Sequence, residues 1–175
     1  MPKYRNVIIK ALIILTAFLL QSMLFGHTQV VPVRPNLLLI VTSLSGFMNG
    51  KKEGIKVGFA CGFLWDVFYG DLLGFYALIL LVIGYVNGRF RSMFFNVDVR
   101  LPLLLTAASD LGFSLIVCIT QFFLRGQFSF GNYLIRIMLP ELVYTVVILI
   151  IVYPLFNRLN IRMHEWEQRS SGKFV

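Results

Sequence analysis

Charged residues are scarce in this sequence. Only 14% of its 175 residues are Asp, Glu, Lys or Arg, whereas 58% are hydrophobic and the mean hydropathy is +0.79. A soluble domain of this length has no core large enough to bury so much apolar side chain. The composition therefore excludes an ordinary soluble domain and predicts an all-α integral membrane protein whose main solvent is lipid.

Residue types that often serve catalysis or metal binding are also few. The two histidines, His27 and His164, lie far apart, and the two cysteines, Cys61 and Cys118, sit inside apolar runs without the spacing of a metal site. No sequence motif for holding a nucleotide is present. The sequence thus predicts no catalytic residue, no cofactor and no metal. Its net charge of +8 is better explained by membrane topology than by nucleic-acid binding.

Six apolar stretches approach the roughly 20 residues needed to cross about 30 Å of hydrocarbon. They run from about Val7 to Phe25, Pro35 to Gly50, Gly54 to Gly70, Leu72 to Gly88, Leu101 to Leu124 and Leu134 to Phe156. Only Asp71 separates the third stretch from the fourth, so these two must form a tight helical hairpin if both cross the membrane. The sequence predicts a single domain, residues 1–175, with six transmembrane helices and a short basic tail from about residue 157.

Basic residues are distributed unevenly around these stretches. Of the 16 Lys and Arg residues, three lie near the start, three at 51–56, three at 89–100 and four in the tail, and all of these reach one side of a six-span bundle. Only Arg34, Arg125 and Arg136 reach the other side. Cytoplasmic segments of membrane proteins carry an excess of Lys and Arg. The distribution therefore predicts that both termini lie in the cytoplasm.

Glycine recurs at every fourth position between residues 46 and 74, with one exception, Asp66. Four-residue spacing places side chains nearly one above another on a helix, so Gly58, Gly62, Asp66 and Gly70 form a narrow, groove-like face. Two interpretations stay open at this point. The face serves close packing inside the protein, for example against the fifth helix, or it is a docking seam for a partner helix.

Three acidic residues, Asp66, Asp110 and Glu141, fall inside the predicted membrane helices. A charged carboxylate at mid-membrane costs about 3 kcal/mol, so each needs protein or water around it. Two carboxyl groups that converged on a water could perform acid–base chemistry, as in intramembrane aspartyl proteases. The chain lacks the Asn-x-Gly-Ala-Ala-Phe type motif expected near the catalytic acids of a lipoprotein signal peptidase. Intramembrane proteolysis is therefore a remote alternative.

Three stretches of the chain share their pattern with one known family. They are Arg34, Pro35 and Asn36 before the second helix; Gly58, Phe59, Gly62, Asp66, Gly70, Leu73, Gly74 and Leu78 across the third and fourth helices; and Tyr153, Pro154, Leu155 and Phe156 before the basic tail. Together these stretches resemble the rod shape-determining protein MreD family. The candidate residues for helix packing or partner binding are those of the first motif and the five glycine and aspartate residues of the second, with Asp110 and Glu141 in addition.

The resemblance implies a non-enzymatic scaffold subunit in the bacterial cytoplasmic (inner) membrane. It implies a role in cell shape and in peptidoglycan synthesis along the side wall, exerted by binding MreC in one complex with MreB, RodA and the elongation-specific penicillin-binding protein. The family is also similar in fold to the substrate-binding subunits of energy-coupling-factor vitamin transporters. A small-molecule binding subunit is therefore the alternative, although polar side chains that could build a vitamin pocket are sparse in the outer loops.

The charge distribution leads to a topology prediction. Reporters fused at Lys52, at Phe95 and at the C-terminus are expected to read cytoplasmic, because these segments carry most of the basic residues. A reporter at Gln127 is expected to read external. Paired fusions to alkaline phosphatase and to green fluorescent protein measure both states at each site, and one reversed site would require different spans.

Overall fold

The structure is a computed structural model, and it is all-helical over the residues that it describes, which are 2–27, 35–70, 72–91, 100–125 and 139–171. Side-chain surroundings are described within residues 6–23, 35–70, 72–91, 101–120 and 139–162. The described helices are α1 (Pro2–His27), α2 (Leu37–Asn49), α3 (Lys51–Tyr69), α4 (Phe75–Arg91), α5 (Arg100–Arg125) and α6 (Leu139–Ser171). Each of the six predicted apolar stretches overlaps one of these helices.

Three of the described helices are long and apolar enough to cross a membrane. The candidate spans are Asn6–Met23 in α1, Leu101–Thr120 in α5 and Leu139–Arg162 in α6. The other helices are shorter, with 13 residues in α2, 19 in α3 and 17 in α4. At 1.5 Å per residue, α2 is only about 20 Å long. The three long apolar helices fit a membrane protein.

The short helix α2 occupies the centre of the bundle. All of its residues from Leu37 to Phe47 are buried, and Leu38, Leu39, Ile40 and Leu44 are fully enclosed. The helix contacts each of the other five described helices. A helix that is apolar all round belongs in the interior of a bundle, where its surface is covered on every side. The high hydrophobicity of this segment therefore reflects burial in protein.

The first turn of α2 is buried, so its backbone N–H groups need acceptors inside the protein. Asn36 caps the helix, with Oδ1 accepting from the N–H of Leu39 at 3.2 Å. Gln21, which comes from α1, accepts from the N–H of Leu38 through Oε1 at 3.1 Å. A polar side chain of the preceding helix thus completes the start of the central helix.

Helices α1 and α3 run in the same direction. Near their N-terminal ends, Lys10 donates to Glu53 at 2.7 Å, and near their C-terminal ends the hydroxyl groups of Ser22 and Tyr69 are 2.5 Å apart. Glu53 also accepts from Lys56 at 3.0 Å. Burial alone would raise the pKa of Glu53, but the hydrogen bonds and the positive charges of the two lysines outweigh it and lower that pKa. The starts of α1 and α3 therefore share one end of the bundle.

Candidate functional site

Glycine residues bring the backbones of α2, α3 and α4 into direct contact. This contact, termed the glycine seam, consists of Gly46 on α2, of Gly54, Gly58 and Gly62 on α3, and of Gly84 and Gly88 on α4. A Cβ atom added at Gly46 would lie 2.6 Å from the carbonyl oxygen of Gly84. A Cβ at Gly54 would overlap the backbone of Gly84, and the reverse also holds. No larger residue fits at these positions unless a helix moves.

The seam lies inside the bundle. The glycine face of α3 is covered by α4, since a Cβ at Gly62 would lie 2.5 Å from the carbonyl oxygen of Tyr76. At Gly58 the Cβ would meet α4 at Leu80 and the methyl group of Thr42, on α2, at 3.0 Å. The face therefore packs against α4 and α2, and the fifth helix does not cover it at these positions. Sequence reasoning missed Gly84 and Gly88, although the same four-residue spacing could have found them.

Asp66, near the end of α3, binds the start of α4 through its side chain. Only 2% of its surface is exposed. Its Oδ2 atom accepts from the N–H groups of Gly74 at 3.0 Å and Ala77 at 2.9 Å, and its Oδ1 atom accepts from that of Tyr76 at 3.0 Å. Gly74 precedes α4 but has no side chain, so Asp66 supplies the capping acceptor from the preceding helix. The positive end of the α4 dipole also favours an acid at this position.

Glycine is required at both ends of the α3–α4 turn. Gly70 ends α3 by donating to the carbonyl oxygen of Asp66 at 3.1 Å, and a Cβ there would lie 2.8 Å from that oxygen. Gly74 has a φ of +98°, a left-handed conformation that residues with a side chain rarely adopt. Asp71, between them, lies outside the described residues. Gly70, Gly74 and Asp66 together shape one end of the α3–α4 hairpin.

A chain of aromatic rings surrounds this end of the hairpin. The ring of Tyr76 lies 5.8 Å from that of Trp65 and 5.9 Å from that of Phe113. Trp65 contacts Tyr69 at 5.6 Å, and Tyr69 contacts Phe18 at 6.0 Å. Tilted rings at these separations attract one another. The chain therefore joins α1, α3, α4 and α5 around the hydrogen bonds of Asp66.

The predicted motif at residues 34–36 lies before α2. Arg34 is outside the described residues. The carbonyl oxygen of Pro35 accepts from the N–H of Leu37 at 3.2 Å, and Asn36 is the cap described above. Pro35 and Asn36 thus position the first turn of the central helix.

Asp110 and Glu141 lie on two neighbouring helices, α5 and α6. Asp110 is 1% exposed, and Thr145, which lies one turn after Glu141, is fully buried. The side chain of Thr145 lies beside the Asp110 carboxyl group, and Glu141 is close enough to be repelled by the charge of Asp110. Asp110 Oδ1 and Thr145 Oγ1 nevertheless form no hydrogen bond of good geometry with the described part of the protein. The structure thus places these two acids on neighbouring helices, whereas Asp66 binds backbone N–H groups.

Hydrogen bonds between uncharged polar residues join α5 to α2 and α4, two of the helices that form the seam. The hydroxyl groups of Ser43 and Thr106 are 2.9 Å apart, and Asn87 donates to the hydroxyl of Ser109 at 2.8 Å. Interhelical hydrogen bonds of this kind help to hold membrane helices together. Sequence reasoning missed these residues and Thr145. The sequence does carry a signal for α5, because small or polar residues recur there at every fourth position. These residues are buried in the structure: Pro102, Thr106, Asp110, Ser114 and Cys118.

A sequence model of the rod shape-determining protein MreD family matches residues 3–162, which is nearly the whole chain. The chain belongs to the MreD family. The predicted resemblance is therefore confirmed, and family membership indicates a role in determining rod shape. No protein with a curated description and no solved structure shows significant similarity to the chain. In this MreD-family protein, the glycine seam and the Asp66 cap join α2, α3 and α4 into one closely packed unit.

The seam predicts different outcomes for the same substitution at two glycines. Gly62→Leu is expected to lower the melting temperature strongly or to abolish folding, because the side chain meets the α4 backbone. Gly112→Leu is the matched control, since Gly112 is exposed on α5 with open space at its Cβ position. Thermal unfolding of both purified proteins in mild detergent measures the difference. Equal melting temperatures would contradict the seam.

The Asp66 cap predicts a local effect on amide exchange. Asp66→Asn keeps one oxygen acceptor of the two, so the N–H groups of Gly74, Tyr76 and Ala77 lose part of their protection. Hydrogen–deuterium exchange of a peptide that covers residues 72–80 is expected to become faster. Glu53→Gln removes a carboxylate elsewhere and should leave this peptide unchanged. Unaltered exchange in the Asn variant would rule out the capping role.

Proposed function

We propose that the protein is a non-enzymatic scaffold subunit of the cell-elongation complex in the bacterial cytoplasmic membrane. It supports cell shape and peptidoglycan synthesis along the side wall by binding MreC, in one complex with MreB, RodA and the elongation-specific penicillin-binding protein. The observation that carries this proposal is the match to the MreD family over residues 3–162. In this proposal the chemistry of wall synthesis belongs to the partners.

The glycine seam supports a scaffold role. Where glycines of two helices meet, the backbones touch directly and fix the positions of the helices. Few flexible side chains lie between the two backbones. The bundle therefore presents surfaces of fixed shape to its neighbours. A preorganised surface loses little conformational entropy on association, which favours stable assembly with a partner. Because the seam is filled internally, substitutions there act on partner binding through the fold.

We also propose that all six helices lie across the membrane, with both termini in the cytoplasm. Among the described residues, the start of α1, the start of α3 and the end of α4 all carry basic residues and lie at one end of the bundle, which supports this orientation. There the ion pair of Lys10 and Glu53 joins the starts of α1 and α3. The end of α4 reaches the same place, since a Cβ at Gly88 would lie 2.6 Å from the backbone of Lys51. The central helix α2 can be short because protein surrounds it.

Two alternatives fit the described residues less well. A cavity of about 340 Å³ lies between α1, α2 and α6, and Thr16 is the one polar residue in its described lining. The hydroxyl of Thr16 already donates to the carbonyl oxygen of Leu12 at 2.6 Å. A vitamin site needs several convergent polar groups. An intramembrane protease needs two accessible acids, and Asp110 is only 1% exposed.

Purification from native membranes tests the scaffold proposal. The tagged protein, extracted in mild detergent, is expected to bring MreC and the wall-synthesis enzymes with it, as identified by mass spectrometry. Recovery of paired transporter ATPases with a coupling subunit would favour the vitamin-binding alternative and contradict the scaffold.

The same purification is repeated with variants of this protein, each expressed in a rod-shaped host that lacks its own MreD-family protein. Gly62→Leu and Asp66→Leu are expected to reduce recovery of MreC and to turn rods into spheres, whereas Gly112→Leu should retain both. Protein levels are measured in parallel. Normal rods with either the Gly62 or the Asp66 variant at wild-type level would contradict the proposed link between this fold and cell shape.

A further inference from the structure

A long apolar cavity opens between α1 and α6. Its volume is about 340 Å³, and Leu37, Ile40 and Val41 of the central helix α2 form its floor. On α1 its lining begins at Ile9 and ends at Leu20, which is a rise of about 16 Å at 1.5 Å per residue. Half of the hydrocarbon thickness of a bilayer is about 15 Å. The cavity is therefore about as long as one leaflet is thick.

The cavity is suited to hydrocarbon and not to water. Thr16 is the one polar residue in its described lining, and the hydroxyl of Thr16 already donates to the carbonyl oxygen of Leu12 at 2.6 Å. A buried water needs at least two polar partners, and an apolar cavity of about 150 Å³ stays dry and binds benzene. Helices α1 and α6 are both candidate membrane spans. The hydrocarbon that fills the space between them is therefore supplied by the bilayer.

The dimensions of the cavity favour a slender occupant. A helix is about 10 Å across, so a 16 Å length of helix occupies roughly 1,200 Å³. The cavity offers about 340 Å³. An acyl chain is a single file of methylene groups and fits within this space, whereas a helix could only lie across its mouth. A lipid chain is thus a better occupant than the membrane helix of a partner.

Positive charge lies at one end of the cavity. On α6 the lining includes Leu155 and Leu159. Arg158 and Arg162 follow these two leucines by three residues each, and this spacing places them on the same face of the helix. Both arginines are exposed, and the ion pairs of the described residues both use Glu53 instead. The two guanidinium groups are therefore available to an anionic group at this end.

The charged end of the cavity coincides with the basic end of the bundle. Phe156 of α6 and Lys10 of α1 line the same small void, so α6 reaches the end of the bundle at which α1 starts. On α1, Arg5 precedes Ile9 by one turn. Both helices that border the cavity thus carry basic residues toward this end. Basic sites between membrane helices on the cytoplasmic side bind the headgroups of anionic lipids.

We propose that the cavity between α1 and α6 binds one anionic phospholipid. An acyl chain lies along α2 inside the cavity, and the phosphate group lies at Arg158 and Arg162. In the orientation proposed above, this lipid comes from the cytoplasmic leaflet. Because the chain fills the space between α1 and α6, the lipid joins the first described helix to the last. The stability of the bundle then depends on the anionic lipid content of the membrane.

Lipid binding to the purified full-length protein tests the site. The delipidated protein in detergent is mixed with phosphatidylglycerol or with phosphatidylcholine that has the same acyl chains, and native mass spectrometry counts the bound lipid. We expect a saturable one-to-one complex with phosphatidylglycerol. Arg158→Gln and Arg162→Gln are each expected to weaken this complex about fivefold, without weakening the binding of phosphatidylcholine. Arg91→Gln, which alters an exposed arginine at the end of α4, is the matched control.

A second pair of variants tests whether the acyl chain enters the cavity. Ala17 lines the cavity and is 8% exposed. Ala17→Leu is expected to weaken the binding of both lipids by about tenfold, because the larger side chain takes the space of the acyl chain. Ala11→Leu makes the same change at an exposed position of α1 outside the lining and should bind as the wild type does. The arginine variants alter exposed side chains only, so they remain informative if Ala17→Leu fails to fold.

Photocrosslinking in native membranes identifies the occupant. Leu155 lines the cavity and is 62% exposed, so p-benzoyl-phenylalanine in place of Leu155 is expected to yield an adduct with phospholipid. An adduct with a second copy of this chain or with another protein would assign the cavity to a protein partner and overturn the proposal.

Two results with the purified protein would also overturn it. One is equal affinity for phosphatidylglycerol and phosphatidylcholine. The other is wild-type binding of phosphatidylglycerol by a folded Ala17→Leu variant, which would show that the lipid stays on the surface. These measurements use the protein without its partners, so they do not depend on the recovery of MreC from membranes. Failure of the lipid site is thus distinguishable from failure of the scaffold proposal.

Discussion

Backbone contact among α2, α3 and α4 is the constraint on which the rest of the bundle depends. Lipid chains are as apolar as leucine, so helices in a membrane gain little by burying apolar side chains against each other. Attraction must come from close approach and from polar contacts. Gly54 and Gly84 each occupy space that a Cβ of the other would need. This approach fixes the positions of three helices, and α1, α5 and α6 pack around α2 as their common centre.

The second requirement is that helix starts inside the bundle find acceptors for their backbone N–H groups. Two helices meet it in the same way. Gln21 of α1 accepts from the first turn of α2, and Asp66 of α3 accepts three times from the start of α4. In each case a side chain of the preceding helix closes the connection to the next one. An acid that would be costly in lipid thereby becomes a structural link between neighbouring helices.

Periodic features of this fold were predictable from sequence, and contacts across helices were not. The apolar stretches located all six described helices, and the four-residue glycine spacing pointed to a face of close contact on α3. The spacing could not reveal that α4 covers this face, because helix rotation and neighbours depend on tertiary packing. The partners of Asp66 were hidden for another reason. They are backbone N–H groups, which every non-proline residue carries, so they leave no mark in the sequence.

The bundle thus combines two kinds of helix contact with different physical character. The seam depends on shape and contains no charge, so ions and pH act on it only weakly. The α5–α6 contact includes two buried polar side chains, Asp110 and Thr145, which lie beside each other. Helix α5 also holds the seam through Ser43–Thr106 and Asn87–Ser109, whereas Asp110 faces α6. A substitution at Asp110 therefore bears on the contact between α5 and α6, whereas α2, α3 and α4 stay joined by the glycine seam.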